Sequence, residues 1–242
     1  VCNIERTWEL IQPDEFKFDE AKSVERDYNG KEISCNGKTD GEITLVMLGG
    51  TKFKDGDYED SFDFTWTPSQ GGVIDAADVK SQNLNNLRPG KYTVVVKDAN
   101  DCSVTKDFFI EQPDDLVITE TVKTNNGFNV TCESGPFGSD GEISIDISGG
   151  VQKPGVEKYD ILWTGPNGFT STAETITGLS VGNYTVTVTD LNGCPKQLMI
   201  PLNAPPPIVV NSVIKDQNNT GFNITCNGED DGEIEINPSG GF

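Results

Sequence analysis

The chain has no histidine, and its 18 basic residues are outnumbered by 39 acidic ones, for a formal net charge of −21. Without histidine there is no Ser–His or Cys–His nucleophile system. The shortage of cations excludes a phosphate-reading nucleic-acid surface, which needs clustered Lys and Arg, and excludes docking onto an anionic membrane face. No apolar run approaches the roughly 20 residues of a membrane helix, and no signal-peptide pattern opens the sequence. Cys-x-x-Cys is also absent, which leaves zinc little to bind to. Helix-period apolar patterns are scarce, and the stretch from Asp75 to Lys80 is where a short helical turn is expected.

What is present is strand. In Gly182-Asn183-Tyr184-Thr185-Val186-Thr187-Val188-Thr189 the apolar Tyr184, Val186 and Val188 alternate with threonine. That period of two sends one set to a core and the other to solvent. Asp190-Leu191-Asn192-Gly193 then turns the chain just before Cys194. The same pattern occurs as Gly90-Lys91-Tyr92-Thr93-Val94-Val95-Val96, followed by Asp98-Ala99-Asn100-Asp101-Cys102. The protein is therefore a repeat of slightly under a hundred residues, and its class is all-β.

Other landmarks recur in the same order. Cys35-Asn36-Gly37 leads to Asp40-Gly41-Glu42-Ile43, and Cys226-Asn227-Gly228 leads to Asp231-Gly232-Glu233-Ile234. A longer version runs from Cys132 to Asp140-Gly141-Glu142-Ile143, and a Gly-Gly pair follows each. Trp8, Leu10 and Gln12-Pro13 align with Phe108, Ile110 and Gln112-Pro113. The expected division is 1–13 as the last strand of a preceding repeat, 14–113 and 114–205 as repeats, and 206–242 as the start of another. In the second repeat, strands are expected near 116–122, 128–132, 142–148, 159–163, 170–177, 183–189 and 196–202. Seven short antiparallel strands match an immunoglobulin-like sandwich, with Trp66 and Trp163 in mid-core. An odd strand count and short proline-bearing linkers predict tandem sandwiches strung into a rod.

Six cysteines in threonine-rich β repeats point to an oxidising, extracellular setting. Counting strand reversals puts both cysteine turns of one repeat at the same end, which favours Cys35–Cys102 and Cys132–Cys194. A second scheme, Cys2–Cys35, Cys102–Cys132 and Cys194–Cys226, joins successive repeats and stays open. The acidic loops Asp55, Asp57, Glu59 and Asp60, and Glu229, Asp230 and Asp231, are candidates for calcium, which takes six to eight oxygens. The plainer reading of each Asp-Gly-Glu is a tight turn whose glycine supplies a positive φ. No other cofactor is expected. Tyr58, Phe137 and Phe169 fall in loops and could stack on sugar rings, though packing is the simpler role. Asn129, Asn183, Asn218 and Asn223 head Asn-x-Thr sequences by chance in a Thr- and Asn-rich chain. No carboxylate pair stands in a setting that suggests a catalytic cleft, so no enzyme is expected. Every repeat is acidic, which reads as solubility.

As a combination, Cys-Asn-Gly-x-x-Asp-Gly-x-Ile, Gly-Gly, Tyr-x-x-x-Trp and Gly178-Leu179-Ser180-Val181-Gly182-Asn183-Tyr184 through Asn192-Gly193-Cys194 resembles the SprB-type repeat. The first repeat departs from it at Asn86-Leu87-Arg88-Pro89-Gly90 and at Asn100-Asp101-Cys102. Polycystic-kidney-disease-type sandwiches are similar more loosely. The resemblance implies a large, non-catalytic cell-surface adhesin of gliding Bacteroidota, outer-membrane associated and exported by the type IX system. Its implied partners are neighbouring repeats, the gliding machinery and polysaccharide substrata. An alternative is a glycan- or calcium-binding sandwich appended to a secreted enzyme.

Overall fold

The computed structural model describes residues 5–53, 61–132, 138–216 and 221–241. It holds β1 (Lys17–Phe18), β2 (Val24–Glu25), β3 (Gly41–Thr44), β4 (Met47–Leu48), β5 (Asp63–Ser69), β6 (Leu84–Leu87), β7 (Gly90–Lys97) and β8 (Ser103–Ile110). β9 (Val117–Val122), β10 (Gly141–Ser148), β11 (Asp160–Thr164), β12 (Thr170–Ser171), β13 (Thr175–Leu179), β14 (Gly182–Thr189) and β15 (Pro195–Leu202) follow. The last two are β16 (Val209–Ile214) and β17 (Ile234–Ser239). All pairings between strands are antiparallel. The described residues contain no α-helix. Asp75–Lys80 forms successive turns, Asp78 N–H to Asp75 O and Ser81 N–H to Asp78 O, in place of the expected helical turn.

Two compact units divide the chain. The first takes Val1–Leu116 together with Gly149–Lys158 and Asp190–Cys194. Its sheets run β2-β3-β6 and β5-β7-β8, with the short pair β1-β4. Alternation puts Ile43, Leu84 and Leu87 of one sheet and Phe64, Trp66, Tyr92, Val94, Val96, Phe108 and Ile110 of the other into a single buried cluster. Each such side chain taken from water contributes roughly 1.5–3 kcal/mol. Trp66 packs with Phe108 at a centroid distance of 5.9 Å and donates Nε1–H to Ser81 O at 2.8 Å. Outward-facing Lys91 and Thr93 meet Asp107 at 2.9 and 2.6 Å. Glu5–Pro13 forms no strand, and Trp8, Leu10 and Ile11 are exposed.

The second unit holds Val117–Ser148, Tyr159–Thr189 and Pro195–Phe242. Its sheets are β13-β10-β9 and β12-β11-β14-β15, and β16 pairs with β17. Ile143, Ile145, Ile176 and Leu179 from one sheet and Trp163, Tyr184, Val186, Val188, Ile200 and Leu202 from the other are buried. The stretch expected as one strand over 170–177 is two. β12 pairs with β11 through Trp163↔Ser171, and β13 pairs with β10 through Ile143↔Ile176. The break between them leaves Ala173 O to accept Trp163 Nε1–H at 2.9 Å. Residues 128–132 are not a strand either. Val130 is buried, but Asn129 and Val130 N–H both reach Asn203 O, so alternation there marks burial without a ladder.

Each unit has a tyrosine whose hydroxyl reaches back four residues, Tyr92 to Arg88 O at 2.8 Å and Tyr184 to Ser180 O at 3.0 Å. That corner, two facing antiparallel sheets and a tryptophan buried between them, Trp163 on the inner strand β11 and Trp66 on the edge strand β5, are the marks of an immunoglobulin-like sandwich.

Candidate functional site: the cysteine turns

Among the described residues, a dense set of polar contacts surrounds the cysteines. After β14 the carboxylate of Asp190, 2 % exposed, organises the turn to Cys194. Oδ1 accepts the amides of Asn192 and Cys194 at 2.9 Å each, and Oδ2 accepts Val151 N–H at 2.8 Å. The backbone closes the turn with Asp190 N–H to Cys194 O and Gly193 N–H to Asp190 O. After β7, Asp98 is equally buried and does the same for Cys102. Its Oδ1 accepts Asn100 and Cys102 N–H at 2.9 Å each, and its Oδ2 accepts Thr51 N–H at 3.0 Å. These donors, Thr51 N–H foremost, hold the Asp98 carboxyl below the usual aspartate range. A carboxylate accepting three amides is what lets a buried charge stand without a cation beside it.

A second frame precedes each Asp-Gly-Glu. Asp40 accepts Ser34 N–H at 3.1 Å and the Ser34 hydroxyl, and Lys38 N–H closes onto Cys35 O. Asp140 accepts Thr131 N–H at 3.0 Å. Asp231 accepts both the amide and the hydroxyl of Thr225, and Glu229 N–H closes onto Cys226 O. Thr131 N–H lowers the Asp140 carboxyl, and the Thr225 hydroxyl followed by its amide lowers that of Asp231. In each case the aspartate holds the residue just before the cysteine.

The glycine of Asp-Gly-Glu has another job than the positive φ expected of it. Gly41 and Gly141 start strands with ordinary φ. A Cβ on Gly141 would lie 2.9 Å from both Leu179 O and Leu202 Cδ1, and one on Gly41 would lie 2.9 Å from Ile110 Cγ2. Close approach to the neighbouring strand and to side chains of the facing sheet is the requirement, not backbone handedness.

The disulfide connectivity corrects both schemes drawn from sequence. Cys35 is bonded to Cys194, with Cα atoms 5.8 Å apart, so neither Cys35–Cys102 with Cys132–Cys194 nor the chain-order pairing applies. Cys102 and Cys132 are free and exposed, as is Cys226. Cys2 lies outside the described residues. Counting strand reversals compared the two turns of one repeat alone, and the bond takes one cysteine from each of two repeats. Both bonded residues belong to the first compact unit.

Around the bond, Asn192 acts as a clamp. Its Nδ2 donates to Ser34 O at 2.8 Å and to Tyr28 O at 3.2 Å, and its Oδ1 accepts Asn29 Nδ2–H at 2.6 Å. Cys194 Sγ rests 3.3 Å from Ser34 O. Next to Cys35, Asn36 Nδ2 donates to Pro113 O and Gly37 N–H to Gln112 Oε1, each at 2.9 Å. A cleft of about 280 Å³ opens nearby, with Asn29, Lys31, Gln112 and Asp114 on its walls. Lys31 pairs with Glu111 at 2.5 Å, which raises its ammonium pKa. Such an exposed pair is worth little to stability.

The other sequence candidates divide between described and undescribed residues. Asp55, Asp57, Glu59 and Asp60 lie outside the described residues, as do Tyr58, Phe137 and Asn218. Glu229, Asp230 and Asp231 are exposed, and the Asp231 carboxylate is occupied by Thr225. Among the described residues no three His, Cys, Asp or Glu side chains form a group that could hold a metal. Phe169 packs edge-on against Tyr184 at 5.5 Å. Sequence reading passed over Asp98, Asp190, Asn29 and Asn192. The signal for Asp98, Asp190 and Asn192 in the sequence is the repeated Asp-x-Asn-x-Cys, whose aspartate bonds the amides of the asparagine and the cysteine.

No curated protein matches the chain. Among solved structures, the amphioxus IgVJ-C2 molecule is 16% identical with a TM-score of 0.28, over 63% of this chain and 96% of that one. The C-terminal 282-residue fragment of intimin, in complex with the intimin-binding domain of the translocated intimin receptor, is 16% identical with a TM-score of 0.35, over 89% and 69%. Dpr2 Ig1-Ig2, in complex with DIP-Theta Ig1-Ig3, is 11% identical with a TM-score of 0.28, over 83% and 74%. At these scores they carry no argument, and the immunoglobulin-like architecture stands on the strand pairing and the tyrosine corner. Residues 219–242 match the family model of the SprB repeat, and the landmarks inside that stretch, from Cys226-Asn227-Gly228 to Gly240-Gly241, are the ones that recur through the rest of the chain.

Proposed function

We propose that this chain is a non-catalytic repeat segment of a large surface adhesin. It acts as an extended stalk and adhesive face in cell–substratum attachment and gliding, outside an outer membrane. The observation that carries this reading is the recurrence of one complete frame, with the same aspartates, turns and cysteines, in a chain whose residues 219–242 match the SprB repeat. A frame repeated in this way suits a surface whose work is length and many weak contacts. The acidic charge of every repeat supports it by keeping neighbouring stalks apart. The partners in this reading are neighbouring repeats, the type IX secretion and gliding machinery, and polysaccharide substrata.

Small-angle scattering tests the stalk. A globule of 242 residues has a radius of gyration of roughly 18 Å. A value well above that is expected, and a value at it sinks the stalk. The alternative, a glycan- or calcium-binding sandwich of a secreted enzyme, draws on the acidic loops. Calcium that raises the melting temperature, or a positive glycan array, would favour it over the stalk.

A further inference from the structure

The bonded cysteines and the free ones sit in the same two frames. Cys102 is held by Asp98 with the bond pattern that holds Cys194 by Asp190, down to Ala99 N–H on Thr51 O and Leu191 N–H on Val151 O. Cys132 follows Thr131, which is held by Asp140 as Ser34 is held by Asp40. The turn that supplies the clamp also recurs. Tyr28 N–H bonds Lys31 O across Asn29 and Gly30, and Asn125 N–H bonds Phe128 O across Asn126 and Gly127. All four central residues have positive φ. Asn126 therefore stands where Asn29 stands, and Cys132 where Cys35 stands.

A further observation separates the occupied frame from its twin. Asn192 directs its amide away from its own turn, onto Tyr28 O and Ser34 O. Asn100, its counterpart, folds back and donates to Thr51 Oγ1 at 2.8 Å. The two turns thus differ in the one side chain that reaches across to the receiving frame, and in the state of the cysteine beside it.

We infer that the cysteine ahead of each Asp-Gly-Glu, the one whose preceding residue is held by that aspartate, bonds the Asp-x-Asn-x-Cys cysteine of the repeat that follows it. Cys132 is then the receiving half of a link to a following repeat, and Cys102 the delivering half of a link to a preceding one. The partner is a repeat of the same kind, with asparagine two residues before its cysteine. The inference rests on reading the chain as part of a repeat array. Bond formation needs an oxidant, here a low-molecular-weight disulfide. One protein thiolate attacks it and releases one small thiol. The second protein thiolate then attacks the mixed disulfide and releases the other, so two protein thiols become one disulfide and one small disulfide becomes two thiols.

The test adds one repeat to the full chain by duplicating residues 114–205 after Pro205. In the inserted copy Cys132→Ser removes ambiguity, and Lys196→Arg marks the mass of the Cys194 peptide. After equilibration in glutathione redox buffer and alkylation, non-reducing peptide mapping should find Cys132 bonded to the inserted Cys194. Alkylation of Cys132 should fall at least tenfold from that in the unextended chain. Adding Asn126→Ala should lower the yield of this link. Cys132 bonded within its own repeat, or alkylated as before, overturns the proposal. The unextended chain gives a reading that does not depend on the insertion folding. There Cys35–Cys194 should be recovered with Cys102 and Cys132 alkylated, and a Cys35–Cys102 or Cys132–Cys194 peptide overturns the proposal as well. Scattering on the same sample separates the outcomes, because an extended particle with the wrong bonds leaves the stalk standing and removes the linkage alone.

Discussion

The turns ending at Cys194 and at Cys102 have the same buried aspartate, the same three amide donors and the same backbone closure. One cysteine is bonded and the other is a free, exposed thiol. The turn is therefore built by its own residues and does not need the disulfide to take shape. What the partner frame adds is the set of groups that Asn192 reaches, Tyr28 O, Ser34 O and the Asn29 amide, and the bond. A turn formed in advance presents its thiol with little conformational freedom left to lose, which is how preorganisation favours a link.

Substitutions that treat the two turns alike should bring out that difference. The largest effect is expected from Cys35→Ser, which removes a crosslink across a sequence separation of 159 residues. A loss of about 2–4 kcal/mol should appear in chemical denaturation, and Cys102→Ser should stay within about 0.5 kcal/mol. Equal losses in the two variants would mean that the bond contributes nothing beyond the turn. Next comes the asparagine pair. Asn192→Ala removes two donated bonds and one accepted bond, and should cost roughly 1–2 kcal/mol. Asn100→Ala removes an exposed bond to Thr51 and should cost roughly half a kcal/mol. A double mutant with Cys35→Ser should shrink the Asn192 effect, since clamp and bond hold the same contact. The smallest effect is expected from acid. The Asp98 carboxyl is depressed below 3.8 in the fold, so its contribution is present above that value and is lost as pH falls through the lower folded value. Melting temperatures taken from pH 6 to pH 2 should fall less steeply at the acid end in Asp98→Asn than in the parent. Parallel curves would mean that the carboxylate is not held as described.

Much of the sandwich was legible because its signal is local. Tyr184, Val186 and Val188 alternate with threonine, and one strand is enough to show which way they face. Ile143 and Ile145 could be assigned to the core on the same ground, and both are buried. Where the strand reading failed, hydrogen bonding and burial had parted company. Val130 is buried in a stretch with no ladder, and residues 170–177 change sheets midway because Trp163 needs Ala173 O. For the glycine of Asp-Gly-Glu the expectation was a turn dihedral, and the constraint is Leu179 O lying 2.9 Å from where a Cβ on Gly141 would be. The cysteine pairing was beyond reach for a different reason. Counting reversals within one repeat cannot say which loop of another repeat lies beside Cys35, and the residues that record it, Asn29 and Asn192, are 163 positions apart.

The disulfide also decides how the chain would carry a pull on its ends. Tension entering before Cys35 crosses the sulfur bridge to Cys194 and leaves through the residues after it. Everything from Asn36 to Gly193 is bypassed, including β3 through β14 and both buried tryptophans. Fully stretched, that bypassed length would be roughly 500–570 Å at 3.3–3.6 Å per residue, all of it hidden until a reductant opens the bridge. A filament linked at every repeat in this manner would pass load through its sulfur bridges and shield the stretches between them.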